Sequence, residues 1–185
     1  MNRGTLIIHG TIGGGKTTRA LELAERAREK GMHVMGVASL RVVEEGETVA
    51  YDGLDLASGA RFPLVQLGER AASPDWVRLG PWKYEFSVSG FSRANTLLAE
   101  AAARVDEGTL VIVDEYGHIE RMGRGLHPGL VKVVEATSRG SYLAVTCRTD
   151  KVDPLLQLFS GHERRVLVLE ADMGGFWDAL GDSFI

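Results

Sequence analysis

The sequence predicts an α/β fold of three layers, a mainly parallel β-sheet with helices on both faces. Short apolar runs alternate along the chain with segments whose apolar residues repeat at helical spacing. The 23 glycines indicate many turns and close backbone approaches. The 185 residues suffice for one domain, 1–185, because no repeat, low-complexity stretch or linker divides them.

The first strand and helix flank a glycine-rich segment. Residues 6–8 form a predicted buried strand, residues 17–30 the helix after it, and Gly31 the end of that helix. The apolar positions that indicate the helix are Ala20, Leu23, Ala24 and Ala27. A second strand is predicted over residues 33–39.

The alternation is interrupted over about residues 40–83. Two short β-like pieces, 41–43 and 48–51, predict an inserted hairpin. Residues 57–83 carry three prolines and two tryptophans but few periodic apolar positions, so we predict a long irregular segment there. Its aromatic residues could stack on a nucleobase, but aromatic residues in long loops more often pin the loop to the core. These residues are Trp76, Trp82 and the following Tyr84.

Regular alternation resumes in the second half of the chain. Helices are predicted over residues 92–105, 128–138, 154–159 and 176–180, and strands over residues 109–113, 141–147 and 165–169. Strands that alternate with helices in this way favour a parallel sheet with right-handed crossovers.

Composition narrows the function classes. Hydrophobic residues make up 44% and charged residues 25%, as in an ordinary globular protein. The net charge of −4 gives no general attraction to polyanions, so we expect neither nucleic acid nor a membrane as a partner. A lone Cys147 in an apolar run and the lack of a targeting segment predict a cytoplasmic location. The five histidines show no paired metal-ligand spacing, which gives no indication of zinc, and nothing indicates the oligomeric state.

A phosphate-binding loop follows the first strand. The segment that matches G-x-x-x-x-G-K-T is Gly10-Thr11-Ile12-Gly13-Gly14-Gly15-Lys16-Thr17, with Thr18 directly after it. The glycines let successive backbone amides converge on phosphate oxygens at a helix N-terminus. Lys16 is predicted to neutralise the β- and γ-phosphates, and the Thr17 hydroxyl to take one position on Mg²⁺. The expected ligand is a nucleoside triphosphate, such as ATP or GTP.

Two carboxylates end the predicted strand over residues 109–113. Asp114 and Glu115 lie at its carboxyl end, where open α/β sheets bind their ligands. Asp114 is predicted to hold Mg²⁺, directly or through water. Glu115 points to the other side of the strand, and we predict that it orients or deprotonates a water molecule beyond the γ-phosphate. That chemistry is hydrolysis.

Weaker signals for site residues follow the predicted strands over residues 109–113 and 141–147. Glu120, His118 and Arg121 come just after the acidic pair and could line the site. Arg148 and Lys151 follow the 141–147 strand, where a cation could reach the γ-phosphate as an internal arginine finger. An equally good interpretation makes Arg148 and Lys151 salt-bridged surface residues.

Taken together, these motifs resemble the small P-loop nucleoside-triphosphatases first described in hyperthermophiles. Residues 10–18 are similar to that family's G-x-x-G-x-G-K-T-T, and residues 114–120 to its D-E-I-G-K-M-E. Residues 36–64, which end in S-G-A-R-F-P-L, are similar to its hairpin region. His118 departs from the family lysine, and the chain after Cys147 matches only loosely.

The resemblance implies a fold, an activity and site residues. The implied fold is a RecA-like core with an extra catalytic glutamate. The implied activity is slow, Mg²⁺-dependent hydrolysis of nucleoside triphosphates to diphosphates and phosphate, with broad base tolerance. Functional roles are implied for Lys16, Thr17, Asp114, Glu115 and Glu120.

One alternative is a nucleotide kinase, in which the γ-phosphate passes to a small acceptor instead of water. The acceptor site would lie in residues 57–83, with Arg61, Arg70 and Arg78. No arginine-rich lid is found between the later strands, and Glu115 suits water better than a phosphate acceptor.

A second alternative is a GTP-binding switch. Residues 114–117 fit D-x-x-G, and residues 150–153 approximate N-K-x-D. The spacing argues against this class. Only one helix and one strand separate the two matches, whereas GTP-binding switches have a further strand and helix between these motifs. Asp150 also lacks the amide of the second motif.

Overall fold

The computed structural model describes residues 4–67, 74–79, 81, 83–137, 141–162, 164–181 and 184. Within these ranges the strands are β1 Gly4–Gly10, β2 His33–Glu44, β3 Glu47–Asp55, β4 Arg61–Leu67, β5 Trp76–Arg78, β6 Tyr84–Ser87, β7 Thr109–Tyr116, β8 Tyr142–Arg148 and β9 Arg165–Glu170. The helices are α1 Lys16–Glu29, α2 Val88–Arg104, α3 His118–Arg121, α4 His127–Thr137, α5 Val152–Leu158 and α6 Phe176–Leu180.

The described strands form one sheet in the order β5-β6-β4-β3-β2-β7-β8-β1-β9. From β2 to β9 all neighbouring strands run parallel, which confirms the predicted α/β core. β8 lies between β1 and β7, so one strand separates the strand before the loop from the strand that carries the acidic pair. Because Gly10 at the end of β1 pairs with Arg148 at the end of β8, the carboxyl ends of the central strands meet at one edge. The phosphate loop and the acidic pair leave the sheet at this edge.

Helices cover both faces of the sheet. Side chains alternate along each strand, so Ile7 and Ile8 of β1 enter opposite cores. Helices α2, α4 and α5 pack on one face, and α1 and α6 on the other, which gives the three predicted layers. None of the helices in the described part of the chain is both long and apolar enough to cross a bilayer.

Gly36 lets β2 approach β7 closely. Its φ is +113°, and a β-carbon there would lie 1.9 Å from the carbonyl oxygen of Ile112. Any other residue would push the two strands apart. This close pairing brings Ser39, in the middle of β2, beside Asp114 at the acidic end of β7.

The inserted region is larger and more regular than predicted. β2 continues to Glu44 and forms the expected hairpin with β3, but antiparallel strands β4, β6 and β5 then extend the sheet. The prediction of an irregular segment over 57–83 is therefore wrong for β4 and β5. Residues 68–73, 80 and 82, and with them Arg70 and Trp82, lie outside the described residues.

A proline made the alternating residues of β4 difficult to recognise as a strand in the sequence. Pro63 pairs with Asp52 at the register shift between Tyr51 and Asp52, a place where a residue without a backbone N–H is tolerated. Burial alternates along this strand despite the proline, with Phe62 and Leu64 in the core. The alternation of buried and exposed residues covers only seven residues, which was too few to predict a strand from the sequence alone.

Helix α2 begins four residues earlier than predicted because of its cap. Ser87 Oγ accepts a hydrogen bond from the Gly90 amide at 2.9 Å and donates one to Asp75 at 2.7 Å. Asp75 also accepts from the Ser89 amide at 2.8 Å. These bonds satisfy the free amides of the first turn and place the start of α2 at the end of β6.

Candidate active site

The phosphate loop connects β1 to α1 in the conformation that its glycines allow. Gly13 and Gly15 have φ values of +76° and +80°, which favour glycine. The Gly14 amide donates to the Thr11 carbonyl at 3.2 Å, which closes the turn. Lys16 is only 7% exposed, and its Nζ donates to the same carbonyl at 2.7 Å. The ammonium group is thus held over the loop.

Asp114 is the most strongly held side chain of the site. It is fully buried at the end of β7, and its Oδ2 accepts hydrogen bonds from Thr17 Oγ1 at 2.8 Å and from the Ser39 amide at 2.9 Å. Its Oδ1 accepts from Thr146 Oγ1 at 2.5 Å. One carboxylate therefore joins α1, β2, β7 and β8.

Burial makes the charge of Asp114 costly. Desolvation raises its pKa, and the hydrogen bonds from Thr146, Ser39 and Thr17 and the charge of Lys16 oppose this shift. A cation bound beside the carboxylate would favour its ionised form.

Glu115 is turned out of its strand by an unusual backbone. Its φ is +81°, rare for a residue with a side chain, and the pairing of β7 with β8 shifts between Val113 and Tyr116. The side chain is exposed to the cleft above the sheet. Desolvation and the neighbouring Asp114 raise its pKa, while Lys16 and Arg148 lower it. Backbone strain of this kind is often found where function requires a fixed side-chain direction.

Thr146 is a site residue that the sequence analysis missed. Its buried hydroxyl donates to Asp114 and accepts from the Glu115 amide at 2.8 Å. It thereby fixes both acidic residues from the neighbouring strand. The available signal was one hydroxyl within the apolar run of β8, which is too common a feature to be assigned without the sheet order.

Arg148 and Lys151 lie at the end of β8 and in the 3₁₀ turn Thr149–Lys151. Arg148 lines the cleft, and its Nε lies 3.2 Å from Asp150 Oδ1. Lys151 is buried and also contacts Asp150. Both cations are therefore salt-bridged, and the role of Arg148 as a γ-phosphate cation stays a prediction.

Glu120 holds the segment after β7 together. Its carboxylate accepts from the Gly117 amide at 2.9 Å and from the Leu126 amide at 3.0 Å, so it ties the two ends of a segment that contains α3. The side chain is 3% exposed, and burial raises its pKa to about 7. This geometry gives Glu120 a supporting position beside the cleft, while its predicted catalytic role stays a prediction. His118, in contrast, is exposed.

The raised pKa of Glu120 predicts a pH-dependent stability. The folded protein holds this proton to a higher pH than the unfolded chain, so raising the pH favours unfolding. We expect the free energy of unfolding of the wild type, relative to Glu120→Gln, to fall as pH rises from 4.5 to 7. The fall should reach at most about 3 kcal/mol.

Urea denaturation at several pH values measures this difference. Glu100→Gln, at an exposed position on α2, is the matched control and should follow the wild type. Parallel pH profiles for the wild type and Glu120→Gln would show that Glu120 does not titrate in this range.

One cleft of about 850 Å³ is lined by residues 12–18 of the loop and by the acidic pair. It begins at the phosphate loop, passes Asp114, Glu115 and Arg148, and continues along the inserted strands β3, β4 and β6. The structure thus brings together the predicted residues of the loop, the acidic pair and Arg148. Tyr84 also lines the cleft, whereas Trp76 is half-buried on β5.

Comparison with protein families now identifies the group to which the chain belongs. A family model described as NTPase matches residues 5–172, which is most of the chain. The chain belongs to the NTPase family. The resemblance drawn from the loop and the acidic pair is thereby confirmed.

Curated relatives of this NTPase come from hyperthermophiles. Nucleoside-triphosphatase THEP1 of Pyrobaculum aerophilum is 34% identical over 113 residues, which are 61% of this chain and 57% of that protein. Nucleoside-triphosphatase THEP1 of Methanopyrus kandleri is 32% identical over 115 residues, 62% of this chain and 58% of that protein. The chain thus spans less than two thirds of the length of these relatives.

Solved structures show the same fold. The crystal structure of THEP1 from the hyperthermophile Aquifex aeolicus has a TM-score of 0.69, covering 95% of this chain and 94% of that one at 20% identity. The solution structure of a human cancer-related nucleoside triphosphatase has a TM-score of 0.64, covering 91% and 89% at 24% identity. These similarities confirm the P-loop NTPase fold.

Proposed function

We propose that this NTPase hydrolyses nucleoside triphosphates to diphosphates and phosphate. The observation that carries the proposal is the convergence of Lys16, Thr17, Asp114 and Glu115 in one cleft at the carboxyl edge of the sheet. The name nucleoside-triphosphatase of its relatives supports the same activity.

The loop and Lys16 bind the triphosphate. Backbone amides at the start of α1 point towards the anion, and the helix dipole adds positive potential. Lys16 exchanges its contact with the Thr11 carbonyl for the β- and γ-phosphate oxygens. Arg148, on the same wall, adds charge near the terminal phosphate.

Thr17 and Asp114 fit a Mg²⁺ site. Mg²⁺ prefers oxygen ligands, and Thr17 and Asp114 offer a hydroxyl and a carboxylate oxygen. The hydrogen bond of 2.8 Å from Thr17 Oγ1 to Asp114 Oδ2 places these two oxygens side by side, so both would hold the ion. When bound, Mg²⁺ would supply positive charge to the phosphate oxygens. The hydrogen bonds from Thr146 and Ser39 fix the orientation of the Asp114 carboxylate.

Glu115 acts on the attacking water. Its carboxylate orients the water and takes a proton from it, while the water oxygen bonds to the γ-phosphorus. The bond from the γ-phosphorus to the bridging oxygen then breaks, and the diphosphate leaves with the electron pair. The raised pKa of Glu115 makes it a stronger base than an ordinary glutamate.

Phosphate release tests the proposal. The protein is incubated with ATP, GTP, CTP, UTP or ITP and Mg²⁺, with and without a nucleoside monophosphate, and with EDTA as the metal-free control. Release from several triphosphates without an acceptor is expected, slowly and with little preference for the base. Turnover only with a monophosphate would instead identify a nucleotide kinase, and binding of GTP alone a switch.

Thr146→Val should slow hydrolysis without abolishing nucleotide binding. The variant removes the hydrogen bond to Asp114 and leaves the Glu115 amide unpaired. We expect kcat to fall about tenfold to a hundredfold and KM to change less than about threefold.

Steady-state phosphate release measures both constants. Thr137→Val is the matched control, because its buried hydroxyl bonds to the Val133 carbonyl within α4, away from the cleft. A normal kcat in a folded Thr146→Val protein would contradict the positioning role of this hydroxyl.

A further inference from the structure

In the proposed function the triphosphate occupies the loop end of the cleft, which leaves the part beyond Glu115 free for another ligand. Here the cleft is lined by an aromatic compartment, which we define as Tyr51, Tyr84, Phe86 and Phe91 together with Arg41 and Arg61. These residues come from the second half of β2, from the inserted strands and from the start of α2, and not from the loop or the acidic pair.

Strand register builds the compartment. One row of paired residues crosses the sheet here. Arg41 of β2 pairs with Tyr51 of β3, Tyr51 pairs with Val65 of β4, and Val65 pairs with Phe86 of β6. Tyr51 and Tyr84 contact edge to face, with ring centroids 6.4 Å apart. Phe86 and Phe91 lie 6.0 Å apart.

These rings are only half-buried, although they lie in a concave site. Aromatic surface left open in a cleft offers stacking and edge contacts to a planar ligand. The hydroxyl groups of Tyr51 and Tyr84 can add hydrogen bonds at its rim.

The compartment also carries positive charge. Arg41 and Arg61 are exposed on the cleft wall, and Arg41 Nε donates to Thr48 Oγ1, which orients its guanidinium group. Arginine side chains bind phosphate and carboxylate groups through paired hydrogen bonds and also stack on aromatic rings. Tyr51 and Arg41 line the same cleft as Asp114 and Glu115, so the compartment opens onto the acidic pair.

The direction of the bound triphosphate leaves this compartment free. In the proposed function the terminal phosphate faces Asp114 and Glu115, so the sugar and base leave the loop away from Glu115. The inference rests on that placement. A second molecule could then occupy the aromatic compartment while the triphosphate occupies the loop.

We propose that the aromatic compartment binds a second small ligand, a nucleoside monophosphate, beyond the terminal phosphate of the substrate. The base contacts the rings of Tyr51 and Tyr84, and the monophosphate pairs with Arg41 and Arg61. The fold thereby provides two nucleotide subsites in one cleft, on either side of Glu115.

Equilibrium dialysis tests the second subsite. The loop is first filled with the non-hydrolysable analogue AMP-PNP and Mg²⁺, and radiolabelled AMP, GMP, CMP and UMP are then added separately. Adenosine and inorganic phosphate are tested separately as half-ligands, because each carries only one of the two parts of AMP. At least one monophosphate is expected to bind, and more tightly than either half-ligand.

Variants locate the bound monophosphate. Tyr84→Ala and Arg61→Ala should each weaken its binding about tenfold and leave AMP-PNP binding unchanged within about twofold. Tyr142→Ala and Arg104→Ala are matched controls, because Tyr142 packs on Phe184 and Arg104 lies exposed on α2, both outside the cleft. Melting temperatures check that each variant is folded.

Three outcomes would overturn the inference. These are no monophosphate binding at millimolar concentration, binding that neither variant weakens, and competition between AMP-PNP and the monophosphate. The last would place the base of the triphosphate in the compartment.

Lys16→Ala separates this inference from the proposed hydrolysis. Because Lys16 lies on the loop, its loss should weaken AMP-PNP binding and leave the monophosphate bound. Monophosphate binding in a protein that hydrolyses nothing would support the compartment and refute the hydrolase. Loss of both ligands in Lys16→Ala would mean that monophosphates bind at the loop, against the inference.

Discussion

Lys16→Ala is expected to lower kcat/KM for triphosphate hydrolysis at least about 10³-fold. Lys16 is 7% exposed and its ammonium group is held over the loop, so its charge is already placed where the phosphates bind. Removing a preorganised cation from a transferring phosphoryl group has effects of about this size. Phosphate release gives the rate, and calorimetric titration with AMP-PNP gives the affinity.

The control for Lys16→Ala is Lys132→Ala, an exposed lysine of α4. It should retain the wild-type rate. A Lys16→Ala protein that is folded and hydrolyses triphosphates at a normal rate would refute the assignment of residues 10–17 as the substrate-binding loop.

Glu115→Gln is expected to lower kcat about 10² to 10³-fold with little change in KM. The variant keeps the size of the side chain but removes the group that accepts the proton from water. The loop and Lys16 are untouched, so the triphosphate should still bind. Steady-state phosphate release with ATP and Mg²⁺ measures both constants.

Glu100→Gln makes the same chemical change on the exposed side of α2 and should behave as the wild type. Equal loss of binding and turnover in Glu115→Gln would indicate that Glu115 helps to hold the nucleotide. A normal kcat would mean that another group activates the water, with Glu120 as the next candidate because it also lines the cleft.

The parallel core was predictable because its signals are local. Apolar runs such as residues 109–113 and helical spacing such as that after Lys16 appear within a few residues, and each corresponds to an element of the structure. The loop was predictable for the same reason, since its glycines, lysine and threonine are contiguous. The acidic pair needed only the end of one strand.

The inserted strands were not predictable in the same way. β5 has three residues, and β4 contains Pro63, so neither shows a clear period of its own. Pairing stabilises them, β4 between β3 and β6, and β5 on β6. A strand that depends on its neighbours leaves little trace in its own sequence.

By itself the sequence determined the α/β core, the phosphate loop and the acidic strand end, because short-range periodicity and contiguous motifs carry that information. Tertiary structure alone decided that Thr146 holds Asp114 and Glu115, and that Glu120 ties Gly117 to Leu126. It also decided that the inserted strands bring aromatic rings to the substrate cleft. The contacts of Thr146 and of the aromatic rings join residues on different strands, so sheet order and register set their distances. The contacts of Glu120 lie within one segment, and they depend on how that segment folds back on itself.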